Sequence, residues 1–190
     1  MTNRRHAATT LWWRAVCIWF LWPMAVCSAQ TERVAQEDQV KAAYLYKFLG
    51  LVDWPPSSFE GDQSPFVIGI SGAESLADEL MPMVANRSTN GRPIVTRKIS
   101  PGTSLVGVHV LFIGRQAAAR AASLVAAAKE LPILVVTDSD DVFAVGGAIN
   151  FVLVDNKVRF DVNLRTHEAS GLKISSRLLG VARRVQGATL

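Results

Sequence analysis

The residues best suited to chemistry are an acidic run, Asp138-Ser139-Asp140-Asp141, placed directly after the apolar stretch Leu131 to Thr137. Carboxylates at the end of a buried strand are where an open α/β sheet places ligands or a magnesium ion. The plainer reading of the same residues is a solvated loop in which Asp138 or Ser139 caps the next short helix. Gly69-Ile70-Ser71-Gly72, at a strand-to-helix junction, offers backbone N–H groups to an anion, and a capped turn explains it equally well. His109 sits inside an apolar run and reads as a hydrogen-bonded sheet residue, and His167 reads as a loop residue. With Cys17 and Cys27 both near the N-terminus, the remainder of the chain lacks the His, Cys and carboxylate set a metal needs. There is no G-x-x-x-x-G-K-[ST] loop to cradle phosphates and no G-x-S-x-G elbow for a serine nucleophile. The expectation is a protein that is not an enzyme and carries neither cofactor nor metal.

The elements that would position these residues alternate. Gln39 to Val52 reads as an amphipathic helix, with Val40, Tyr44, Phe48, Leu51 and Val52 at helical spacing and Leu45 and Leu49 widening the stripe. Asp53-Trp54-Pro55-Pro56 stops it, because proline removes a backbone donor and disfavours helix in the residue before it. Phe66 to Ser71 reads as a buried strand, and Ser71-Gly72-Ala73-Glu74 has the form of a capping box opening a helix with Leu76, Leu80 and Val84. Ile94 to Ile99 and Val108 to Ile113 read as strands, Gln116 to Glu130 as an alanine-rich helix, and Leu131 to Thr137 as another buried strand. Ala148 to Val154 and Lys157 to Leu164 flank Asp155-Asn156 as a hairpin, and Ser175 to Val185 closes the chain as a helix. The predicted fold is α/β: a single compact domain with a mixed, mostly parallel sheet, helices on both faces, and a C-terminal β-hairpin followed by a helix.

The first 29 residues have a different character: Arg4, Arg5 and Arg14, then the apolar run Ala15 to Val26, then Cys27-Ser28-Ala29. Basic, apolar, small is the order of a secretory signal, so residues 1–29 are expected to be a signal peptide and residues 30–190 the exported domain. Cleavage after Ala29 competes with lipid attachment at Cys27, although Val26 is bulkier than a lipoprotein signal favours. Export after Ala29 leaves 17 Lys+Arg against 16 Asp+Glu, a balance of +1, so the pI of about 9.4 argues for no nucleic-acid partner. It also leaves no thiol.

Several stretches then resemble the YfiR family of periplasmic proteins. They are Lys41 to Phe48 (KAAYLYKF) with Val52-Asp53-Trp54-Pro55, Gly91-Arg92-Pro93, His109 to Gly114, Gly146 to Phe151, Val158 to Asn163, and Gly171 to Leu179. The resemblance implies a periplasmic repressor that binds the periplasmic sensor region of an inner-membrane diguanylate cyclase and so lowers cyclic di-GMP signalling. It further implies a homodimer, and an outer-membrane OmpA-like lipoprotein able to sequester the repressor. A periplasmic small-ligand sensor or solute-binding protein coupled to another membrane partner is the alternative. Members often carry bridged cysteines where this chain has Gly69 and Val108, so redox control is not expected here.

The residues singled out for partner or ligand binding are Trp54, Asn150, Arg159, Asn163 and Arg177. Trp54 reads as an aromatic anchor or as a plug that ends the first helix inside the core. The other four read as a polar patch around the hairpin and last helix, or as solvated surface. Gly146-Gly147 reads as backbone geometry, a turn with positive φ or the close approach of another chain.

Overall fold

Four apolar runs become strands buried along their whole length: β2 (Phe66–Ser71), β5 (Val110–Ile113), β6 (Leu134–Thr137) and the first half of β7 (Ile149–Val154). Burial on both faces is what a parallel sheet with helices on each side demands. In this computed structural model, which describes residues 24–166 and 170–187, those helices are present on both faces. The other strands are β1 (Val52–Asp53), β3 (Ser88–Thr89), β4 (Arg92–Lys98), β8 (Lys157–Asn163), β9 (Lys173–Ile174) and β10 (Arg184–Gln186). The main sheet runs β10-β8-β7-β6-β5-β2-β4-β3, and β1 pairs with β9 in a separate antiparallel ribbon. Pairings β4–β2, β2–β5, β5–β6, β6–β7 and β8–β10 are parallel, whereas β7–β8 and β3–β4 are antiparallel.

The helices are α1 (Met24–Phe48), α2 (Glu74–Val84), α3 (Ala121–Lys129), α4 (Asp140–Ala144) and α5 (Ser176–Val181). The chain divides into two compact units, Met1–Val34 and Ala35–Leu190, and the sheet belongs to the second. Within that unit α1 buries Asp38, Lys41, Ala42, Leu45 and Phe48, spaced three and four apart, so one helical face meets the sheet. The stripe is rotated from the expected one, and Val40 is 43% exposed. Tyr44 and Phe48 pack on Phe151 and Phe160 with ring centroids 5.4 to 6.0 Å apart. Each buried ring contributes about 2 to 3 kcal/mol. One core joins α1, α2 and α5 to this face; a second joins α3 and Val142 of α4 to Val67, Leu111, Ile113 and Val135 on the other.

Three expectations of detail are corrected. No capping box forms: the N-cap of α2 is Ala73, and the Ser71 hydroxyl instead accepts from Arg120 Nη2 at 3.2 Å. The alanine-rich helix is divided into a 3₁₀ segment, Arg115–Arg120, and α3. The last helix ends at Val181, and Val185 lies in β10, which adds a parallel strand beyond the hairpin. The hairpin itself is as expected, with Asp155 and Asn156 at φ 49° and 58° in the left-handed region that a tight two-residue turn requires.

Candidate functional site

The parallel strands β4-β2-β5-β6-β7, numbered by their order in the chain, read 2-1-3-4-5, so the topology reverses between β2 and β5. A doubly wound sheet opens its ligand crevice there, at the carboxyl ends of the strands. Here the chain's own loops fill it. A Cβ on Gly114 would lie 2.2 Å from the Gly72 carbonyl oxygen, and one on Gly72 would lie 2.4 Å from the Ala117 nitrogen. Gly114 N–H donates to the Ser71 carbonyl at 2.8 Å. The Gly69 to Gly72 junction therefore packs against backbone and does not open to an anion.

One strand further along, the acidic run meets α1. Lys41, 4% exposed, places Nζ 2.8 Å from Asp138 Oδ2 and 2.7 Å from Glu37 Oε1, with Asp38 Oδ1 at 3.8 Å. Burial opposes its charge, yet Asp138 and Glu37 outweigh that and raise its pKa above the ordinary lysine value. Asp138 is thus an ion-pair partner and does not cap α4; Ser139 occupies the N-cap position without a side-chain cap. Arg115 Nε donates to the Asp138 carbonyl at 3.0 Å. Arg115, the run Asp138 to Asp141, and Val152 and Leu153 of β7 line an open cavity of about 530 Å³. No group of three or more His, Cys, Asp or Glu among the described residues is placed to hold a metal ion.

Beside this cavity the hairpin register places three of the singled-out residues on one face. Asn150 pairs across to Asp161, which alternates with Arg159 and Asn163 along β8, while Phe151 and Phe160 face the α1 side. Asn150 is buried and donates from Nδ2 to Asp140 Oδ1 at 2.7 Å, so it fixes the acidic loop and is not itself a surface contact. Asn163 Oδ1 accepts from Arg165 N–H at 3.2 Å. Arg159 is exposed. Between them Asp161, 4% exposed, holds Arg183 through two hydrogen bonds, 2.8 Å to Nε and 2.5 Å to Nη2, a forked clamp that locks the start of β10. Arg177 does not join them. It is exposed on α5, whose Leu178 packs into the core on the opposite face.

Trp54 is half-buried, its ring edge-on to Phe66 at 5.4 Å and to His109 at 6.1 Å. Those ring contacts are the ones the plug reading requires, and the half-exposed remainder leaves the anchor reading open. His109 is 2% exposed, stacks on Phe59 at 4.5 Å, and accepts from Val67 N–H through Nδ1 at 3.2 Å. Burial, with the nearby Arg92 charge adding to it, lowers the imidazole pKa to about 4 against the opposing carbonyls of Ser58 and Gly107. His167 lies outside the described residues. Positions 69 and 108 adjoin, since a Cβ on Gly69 would lie 3.2 Å from Val108 Cγ1.

Lys41, Arg115, Asp161 and Arg183 were not among the residues read as a site. Lys41 and Asp161 fall within the stretches that carry the family resemblance, and beyond that the sequence signal is charge inside or beside an apolar run, as at Asp161 between Phe160 and Val162.

Fold and surface together define a doubly wound α/β domain whose usual ligand crevice is closed by its own loops and whose polar features lie on the hairpin side. The family model described as YfiR/HmsC-like matches residues 38–183, and the chain belongs to that family. No curated protein matches it.

Proposed function

We propose that this chain is an exported periplasmic protein that restrains an inner-membrane diguanylate cyclase by binding its periplasmic sensor region. Family membership over residues 38–183 carries the reading. The filled crevice at the β2–β5 switch supports binding by surface in preference to turnover of a small substrate. Residues 1–29 act as the export signal in this reading, and no helix among the described residues is long and apolar enough to cross a membrane. The contact face is the outer face of the hairpin, where Arg159 is exposed beside Val152 across the pair. Asn150 and Asn163 hold the neighbouring loops in place. The protein acts as a homodimer, and an OmpA-like outer-membrane lipoprotein competes for it.

The test is affinity capture of the C-terminally tagged protein from solubilised membranes of its own host, with mass spectrometry of what it holds. Recovery of an inner-membrane protein with a cyclase domain supports the reading. Recovery of transporters alone, or of nothing, sinks it and favours a ligand sensor.

A further inference from the structure

A second cavity, of about 260 Å³, lies on the α3 side of the sheet, away from the acidic loop. Its wall and floor are aliphatic: Val125 and Ala128 of α3, Ile133, and Val135 of β6. Among the described residues no aromatic ring lines it. Gly146, at φ +136°, forms one side because a Cβ there would come within 2.7 Å of Val125 Cγ1, so any side chain would close the cavity. Val145 stands at the rim 53% exposed, an apolar side chain with nothing over it.

The polar part of the lining is Thr166 and Ser170 together with two cations, Lys129 from the last turn of α3 and Arg165 from the 3₁₀ turn after β8. Among the described residues neither cation pairs with a carboxylate, and no Asp or Glu lines the cavity. Arg165 is held in place by the Asn163 side chain through its backbone N–H, which gives Asn163 a positioning role. An aliphatic slot with two unpaired cations at its mouth is complementary to an anionic head on a hydrocarbon body. The small volume, with no ring among the described lining residues to stack on, favours a slender chain over a nucleotide or a large aromatic ligand.

We propose that this cavity binds a free aliphatic monocarboxylate, its chain against Val125, Ala128 and Val135 and its carboxylate between Lys129 and Arg165. The idea is independent of which membrane protein the domain contacts.

The probes are butyrate, hexanoate and octanoate, with octanol and octylamine as neutral and cationic counterparts of the same length. Calorimetric titration and methyl NMR of the whole protein are the measurements. Saturable binding of octanoate, weaker for octanol and absent for octylamine, with shifts centred on the Val125 and Val145 methyls, supports the site. The variant K129Q/R165Q changes two exposed side chains and should weaken octanoate about tenfold or more, the loss expected for charge-assisted hydrogen bonds. Val145→Glu, also exposed, should weaken it by repulsion, with an unchanged urea midpoint showing that the fold persists. Equal binding of octylamine, undiminished octanoate affinity in K129Q/R165Q, methyl shifts elsewhere, or no binding by any carboxylate overturns the proposal.

Discussion

Lys41 Nζ lies 2.8 Å from Asp138 Oδ2, a contact between residues 97 apart in the chain that ties α1 to the carboxyl end of β6. Both side chains are largely removed from water, so either one left alone has no solvent to fall back on. Lys41→Met should cost about 3 kcal/mol in urea unfolding, because three carboxylates lose their common cation. The double variant K41M/D138N should cost less than the two single changes added together. Additive losses would mean that the ion pair is not coupled. Since the folded pKa of Lys41 is raised, its contribution is complete below about pH 10.5 and is lost as pH climbs through the folded value.

That contact marks the limit of what periodicity reveals. The buried strand Phe66–Ser71 and the turn at Asp155-Asn156 were legible because apolar runs and left-handed turn residues are local signals. The capping box failed for the opposite reason: Ser71 has the right type and spacing, but Arg120, 49 residues away, engages its hydroxyl. Val185 fits a helical stripe and an edge strand equally well, and the Arg183–Asp161 clamp settles it as strand. Of the five residues read as a site, parity along β8 unites Arg159 with Asn163 and pairing across β7 adds Asn150, but nothing local could show that α5 carries Arg177 to the other face.

His109 makes stability depend on acid. The unfolded chain takes up a proton near pH 6.5, whereas the buried imidazole resists until about 4, so between those values the unfolded state binds more protons and stability falls as pH falls. The full loss is on the order of 3 kcal/mol, complete near pH 4. Urea midpoints at pH 7.0 and 4.5, each chosen as about the plateau and the lower part of that range, should differ in the wild type and differ less in His109→Gln. An equal slope in the variant would assign the acid sensitivity to other groups.

The two exposed arginines should separate by face. Arg159→Glu, on the hairpin face proposed for the cyclase sensor, is expected to weaken capture about tenfold or more through charge reversal. Arg177→Glu, on the α5 side, should leave capture unchanged. Both variants should melt with the wild type, since neither side chain is buried. Equal loss in both would point to a contact surface that wraps the domain end, and loss only in Arg177→Glu would move the interface to α5.

Asp161 should act on β10 and leave the sheet centre alone. Asp161→Asn keeps the shape and removes the charge that holds Arg183 in a fork, so amide exchange at Arg184, Val185 and Gln186 should quicken while Val110–Ile113 stays protected. Uniform quickening across both strands would show that the clamp supports the whole sheet and not its edge.

Trp54 offers the sharpest choice between packing and recognition. Five tryptophans occur in the chain, and the other four, Trp12, Trp13, Trp19 and Trp22, lie within the proposed export signal. In the exported form Trp54 alone therefore reports by fluorescence. Edge-on against Phe66 and His109, it should emit at short wavelength and shift to the red on unfolding. Trp54→Ala should cost about 3 kcal/mol, the loss typical of a large aromatic core truncation. Trp54→Phe should recover most of that, because its Nε1–H has no hydrogen-bond partner to lose. If partner capture survives in Trp54→Phe, the ring is a plug that closes the end of α1 over the His109 cluster. Capture lost while the Trp54→Phe melting temperature holds would make the indole a contact residue, and the interface would then extend from the hairpin to the β1–β9 ribbon.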